Sequence, residues 1–192
     1  MAKKQEFKPD KPQSNWLSKL YLTALQRKSI SRWALYGLVL LVLSVVQDVI
    51  LCRFRLFGAT TELVPCGIFL ICVLVGTEQG SLFALISSVL YLFSGTAPGP
   101  YSMVFITALS IGICILRQGF LQKGFAAAML CTALAMALYV LLNYAMGLFL
   151  GVTLLSRFSS ICITAGLSLI AAPILYPLLL SIASIGGEAW KE

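Results

Sequence analysis

Histidine is absent from all 192 residues, which removes Ser-His and Cys-His nucleophilic catalysis and most zinc and haem sites, since these use imidazole as base or ligand. Charge is nearly absent too. Only 11% of residues are charged, against roughly 25% in a soluble domain, and acidic residues are half as many as basic ones, 7 against 14. The six cysteines, Cys52, Cys66, Cys72, Cys114, Cys131 and Cys162, form no C-x-x-C pair; most lie in apolar runs, where cysteine behaves as a small hydrophobe rather than a redox or metal group. No phosphate-cradling glycine loop is present. No cofactor, metal or nucleic-acid partner is expected.

What is abundant is apolar sequence. Hydrophobic residues make up 59% of the chain and the mean hydropathy is +0.94. Apolar blocks near the roughly 20 residues that cross a bilayer core recur from Trp33 onward, so the fold class expected is all-α, a polytopic transmembrane helix bundle. Six spans are predicted, at Trp33 to Cys52, Glu62 to Gly76, Gly80 to Ser94, Tyr101 to Leu116, Phe125 to Leu150 and Ser159 to Ile185. The first run reads as a retained span rather than a cleaved signal, because 32 mostly polar residues precede it and no small-x-small cleavage pattern follows. Residues 1–32 form a basic cytoplasmic tail, 33–186 the transmembrane domain and 187–192 a short cytoplasmic C-terminus.

The tail holds eight of the fourteen Lys and Arg residues. Its start, with Pro9 and Pro12, reads as solvated and disordered. Trp16, Leu17, Leu20, Tyr21, Ala24 and Leu25 then share one face at helical spacing, suited either to a membrane-surface helix or to an ordinary solvated one. Placing the tail in the cytoplasm puts Arg117, Lys123 and Lys191 inside as well, so both termini are expected there. The second and third spans are short. A re-entrant hairpin would leave Glu78 at membrane depth at a cost of about 2.5 to 3.5 kcal/mol, so two crossings, with Glu78 in a cytoplasmic turn, are preferred.

Inside this apolar sequence a few polar residues stand out. Gln47 and Asp48 interrupt the first run, and Asp48 lies about 22 Å along the helix from Trp33. Glu62 opens the second span behind Thr60 and Thr61, its candidate helix caps. Gln47, Asp48, Arg53, Arg55 and Glu62 are expected to gather at one outer mouth, either as interfacial charges that neutralise one another or as a docking or ligand site. Gly76, Gly80, Ala84 and Ser88 repeat at i, i+4 and form a small-residue ridge, for packing within the bundle or for docking a partner helix. Shorter stripes occur at Ala127, Cys131 and Ala135 and at Ala108 and Gly112. The turn "SGTAPGPYS" ends the third span, Pro173 and Pro177 are expected to kink the last, and one interhelical hydrogen bond would account for Asn143.

The run from Gln47 through "LFGATTELVPCGIFLICVLVGTEQGSLFALISSVLYLFSGTAPG", with "LRQGFLQKG" and "PILYPLLL", resembles the rod-shape-determining membrane protein family MreD in its divergent Gram-positive form. The likeness covers roughly residues 33 to 185. It rests on Gln47 near the end of the first span, on Gly58, Glu62 and Leu63 at the start of the second, and on Gly76 and Gly80 before the third. The chain departs from the family pattern at Thr61, where a proline is usual, at Ala84 and Ser88, and at Tyr91 and Leu92, where an aspartate is common. The resemblance implies a non-enzymatic scaffold in the bacterial plasma membrane. It would belong to the cell-elongation machinery of peptidoglycan biosynthesis, with MreC-like and MreB-like proteins, a RodA-type glycosyltransferase and a transpeptidase as partners besides membrane lipid. The substrate-binding component of an energy-coupling-factor vitamin transporter is similar in size, span number and small-residue stripes, but a pocket needs several convergent polar groups; Gln47, Asp48 and Asn143 are few. An enzyme would have Asp48 and Glu62 alone for acid-base work.

Overall fold

The computed structural model describes residues 24–53, 59–120 and 124–184. Tail residues 1–23, with most of the expected surface helix, lie outside the described residues, as do Arg55 and Gly58. Among the described residues six α-helices follow in order: α1 Ala24–Val45, α2 Leu63–Val75, α3 Thr77–Phe93, α4 Tyr101–Phe120, α5 Phe125–Phe149 and α6 Phe158–Ser184. A π-helical turn, Val46–Ile50, and a 3-10 turn, Leu51–Arg53, extend α1. No strand occurs among the described residues. Among the described residues four helical stretches, Lys28–Ile50, Tyr101–Gln118, Phe125–Phe149 and Leu155–Ser184, are long and apolar enough to cross a membrane, which marks the protein as membrane-embedded.

The expected spans match the helices to within a few residues at most ends, with two differences at the start of elements. The first helix is already formed at Ala24, the first described residue of this segment and nine residues before Trp33; the segment "ALQRKSISR" contains neither glycine nor proline to break it. The third begins at Thr77 rather than Gly80, so Gly76 alone joins α2 to α3. Gly76 makes this one-residue turn at φ +106° and ψ −178°, a region essentially reserved for glycine. The helix assignment of α6 is continuous through Pro173 and Pro177, and both rings are exposed.

The architecture is a ring around a centre. α2 packs against each of the other five helices, which neighbour one another in the order α1, α3, α4, α5, α6 and back to α1. Its sequence explains this position: "LVPCGIFLICVLV" has no polar face, and a helix apolar all round belongs in an interior. Every residue from Leu63 to Leu74 is buried. At 13 residues, or about 20 Å at 1.5 Å per residue, α2 is shorter than the helices around it. Lipid tails give apolar surface no reason to leave them, so close packing holds such a bundle together. Gly67 supplies one close approach, since a Cβ there would stand 2.9 Å from Leu43 Cδ1. Phe69 and Tyr139 meet edge to face at 6.0 Å.

Contacts between helix ends show that successive helices alternate in direction. Arg32 near the start of α1 reaches Gln79 at the start of α3, Gln47 late in α1 reaches the start of α2 and the end of α3, and Phe125 opening α5 stacks on Tyr176 late in α6 at 4.9 Å. The thinnest seam of the ring lies between α1 and α3.

Candidate functional site

A short helix buried on all sides has a backbone problem at each end, because its first N–H and last C=O groups have no intrahelical partner and no water to turn to. The N-terminal end of α2 is where the chain's unusual polar residues converge. Pro65 removes one donor outright. The N–H of Val64 donates to Gln47 Oε1 at 3.0 Å, and the N–H of Glu62 donates to Ser168 Oγ at 2.8 Å, whose own hydroxyl donates to Thr164 O. The capping expected from Thr60 and Thr61 is not made: Glu62 is the N-cap residue and no side chain of this segment closes the bond. Side chains from α1 and α6 do that work across the bundle.

Gln47 is delivered by the π-helical turn. Leu51 N–H bonds to the carbonyls of both Gln47 and Val46, and the widened turn carries Gln47 inward to 4% exposure. Its Nε2 donates to the Tyr91 hydroxyl at 3.5 Å, and such π turns commonly sit at functional positions. Asp48, the next residue, is half-buried, with Oδ1 buried and without a hydrogen-bond partner among the described residues.

Glu62 Oε2 is buried as well and has no hydrogen-bond partner among the described residues; the same holds for the hydroxyl of Tyr139 and for Asn143 Oδ1. The Tyr139 hydroxyl lies within interaction range of Glu62, Tyr91 and Asn143, so these groups approach one another without closing bonds of standard geometry. The interhelical bond expected of Asn143 is replaced by one within its own helix, Nδ2 donating to Tyr139 O at 2.9 Å. Glu62, Tyr91, Tyr139 and Asn143 thus gather near the positive end of α2.

The predicted outer mouth is therefore only partly assembled. Gln47, Asp48 and Glu62 fall at one end of the bundle, but Gln47 is used as a cap and Glu62 faces Tyr139, while Arg53 is exposed to the surroundings. Tyr139 and Ser168 belong to the site and were not singled out from the sequence, and Tyr91 stood out only as a departure from the resembled family. The available signal was that a tyrosine deep in a span must find a partner for its hydroxyl.

The opposite end of α2 is closed by sulfur and glycine. Cys114 Sγ lies 3.3 Å from Cys72 O, and Cys72 Sγ lies 3.2 Å from Gly80 O, so two cysteines serve as weak donors to carbonyls. A Cβ on Gly80 would stand 3.2 Å from Cys72 O and 3.3 Å from Cys72 Cα. Further along the ridge Ala84 and Ser88 are fully buried, and Ser88 Oγ meets Thr107 Oγ1 of α4 at 3.2 Å. Half-buried Gly76 and buried Gly80, Ala84 and Ser88 thus face α2 and α4, which leaves no room on this ridge for a partner helix. In α5, Cys131 and Ala135 are buried and Ala127 half-buried. In α4 the inward row is Ser102, Ile106, Ser110 and Cys114, all 0% exposed, so Ala108 is turned outward and Gly112 has open space beside it.

Among the described residues no group of three or more Cys, Asp or Glu is placed to hold a metal ion. No family model, characterised protein or solved structure matches the chain.

Proposed function

We propose that this chain is a non-enzymatic multi-pass subunit of the bacterial cell-elongation machinery, supporting lateral peptidoglycan synthesis through helix-mediated contacts. Its partners in this reading are MreC-like and MreB-like proteins, a RodA-type glycosyltransferase and a transpeptidase. The observation that carries it is where the residues of the family resemblance fall. Gln47, Glu62 and Leu63 meet at the N-terminal end of α2, and Gly76 and Gly80 close its other end, so the resemblance follows the residues that hold the central helix. At the late α3 position where that family commonly has an aspartate, this chain places Tyr91, whose hydroxyl reaches Gln47.

In this reading all six helices cross the plasma membrane and both termini are cytoplasmic. Eleven basic residues then lie inside, eight in residues 1–32 plus Arg117, Lys123 and Lys191, against Arg53, Arg55 and Arg157 outside, as the positive-inside rule requires. A crossing by α2 and α3 is supported by the level of their turn: Gln79 bonds Arg32, which precedes Trp33 in the first half of α1, and Gly76 adjoins Arg117 near the end of α4. The test is recovery of the tagged full-length chain from its own bacterial membranes in mild detergent, with partners identified by mass spectrometry. Co-enrichment of MreC-like and RodA-type proteins is expected; their absence across several detergents overturns the reading.

A second reading, the substrate-binding component of a vitamin transporter, is favoured by the unpartnered oxygens of Glu62, Tyr139 and Asn143. Thermal-shift screening against water-soluble vitamins separates the two, because a ligand at 100 times its Kd adds about 2.7 kcal/mol of stability. No stabilisation by any vitamin is expected.

A further inference from the structure

Two of the loops at the Glu62 end of the bundle differ in chemistry. Between α3 and α4 the chain turns through Ser94, Gly95, Thr96, Pro98 and Pro100, residues suited to a turn in water. Between α5 and α6 it runs through "FLGVTLLSRF", where Phe149, Val152, Leu154 and Leu155 are 86, 79, 69 and 77% exposed. Surfaces bathed in water rarely carry so dense an apolar patch. Exposed Arg157 is the only charged residue of this segment, and the sequence has no acidic residue between Glu78 and Glu188.

The α5/α6 loop is held against the bundle. Gly151, at φ +69°, makes the left-handed turn that ends α5. The N–H groups of Leu150, Gly151 and Val152 donate to the carbonyls of Met146, Leu148 and Gly147 at 2.9, 3.1 and 2.9 Å. Thr153 N–H also returns to Gly147 O at 3.2 Å, and a Cβ on Gly147 would stand 2.6 Å from Thr153 Oγ1. The Leu155 carbonyl accepts from the Tyr144 hydroxyl at 3.2 Å, and the Phe158 ring lies 5.7 Å from that of Tyr144. The loop therefore folds back beside the last turns of α5. Tyr144 stands about 28 Å along α5 from Phe125, which places the loop at the margin of a hydrocarbon core roughly 30 Å thick.

Two features point to lipid as what covers these side chains. Backbone N–H groups from Leu150 to Thr153 are all bonded within the protein, a closure that lipid demands and water does not. The patch is also continuous with the bilayer-facing surface, because Leu138, Leu142, Ala145 and Phe149 form one outward stripe of α5. We propose that the α5/α6 loop is an interfacial anchor, with Val152, Leu154 and Leu155 inserted into the leaflet at the Glu62 end and Ser156 and Arg157 among the headgroups. The inference depends on membrane embedding and not on the cell-elongation reading. The test uses the full-length chain carrying Cys52→Ser and Cys162→Ser, in nanodiscs of dioleoyl phosphatidylcholine, with a nitroxide attached at Val152→Cys or Leu155→Cys. Leu138→Cys in the span and Pro98→Cys in the α3/α4 loop serve as references. Collision with oxygen, which concentrates in lipid, is expected to exceed collision with a water-soluble nickel chelate at positions 152, 155 and 138, and the order to reverse at 98. Chelate access at 152 and 155 equal to that at 98 overturns the proposal. A label there shielded from both reagents marks a protein contact and overturns it too, as does a photoreactive side chain at Leu154 that captures a polypeptide in native membranes.

Discussion

Gln47 shows what a single polar side chain does in an apolar helix. Its amide accepts from Val64 N–H and donates to Tyr91, so its removal strands a buried backbone donor. Gln47→Ala is expected to cost about 1–3 kcal/mol, read as a lower Tm of the purified protein in detergent, and Gln47→Glu, which keeps an acceptor oxygen, is expected to recover part of that loss. Equal stability of Gln47→Ala and the unaltered chain would show that the cap is dispensable. Residue by residue, the site was half legible. Gln47, Glu62 and Asn143 are conspicuous because polar groups in an apolar run need a reason. Ser168 and Tyr139 are ordinary in a membrane helix, and only the packing of α6 and α5 on α2 reveals them. Local chemistry also pointed to Thr60 and Thr61 as caps, and tertiary contact overrode it.

At the scale of helices, glycine separates into two kinds that sequence spacing cannot distinguish. Gly80 lies against the backbone of Cys72, and backbone does not yield cheaply, so Gly80→Ala is expected to destabilise by about 1–3 kcal/mol through overpacking. Gly112, in open space on α4, is expected to gain about 1 kcal/mol on replacement by alanine, from helix propensity alone. Gly76→Ala must enter a region closed to side chains, at about 1–3 kcal/mol. Chemical denaturation of the three variants in one detergent checks the ordering. It also moves the docking question from the buried ridge to the outward pair Ala108 and Gly112: Gly112→Leu is expected to weaken partner co-purification without lowering stability. The helices were legible because apolar length sets them. The inward face of α4 was not, because its row of Ser102, Ser110 and Cys114 alternates with Ile106 and carries no marked small-residue signal.

For the molecule as a whole, the decisive feature is a helix too short for a usual crossing, held at the centre of longer ones. Membrane class and the all-helical character of the described residues followed from composition and periodicity. That α2 is the hub was written in its lack of a polar face, whereas its recessed N-terminal end depends on contacts from α1 and α6 that no local pattern encodes. A re-entrant pair would place the α2/α3 turn at mid-membrane, yet Gln79 and Gly76 stand level with Arg32 and Arg117, and burying Glu78 there would cost about 2.5–3.5 kcal/mol. Single cysteines introduced at the exposed positions Glu78, Gln118, Pro98 and Ser156, in a background carrying Cys52→Ser and Cys162→Ser, test this with a membrane-impermeant maleimide. Pro98→Cys and Ser156→Cys are expected to react in intact cells, and Glu78→Cys and Gln118→Cys only after permeabilisation. A Glu78→Cys that stays unreactive on both sides would put the turn inside the bilayer, leaving four crossings with α2 and α3 as an inserted hairpin.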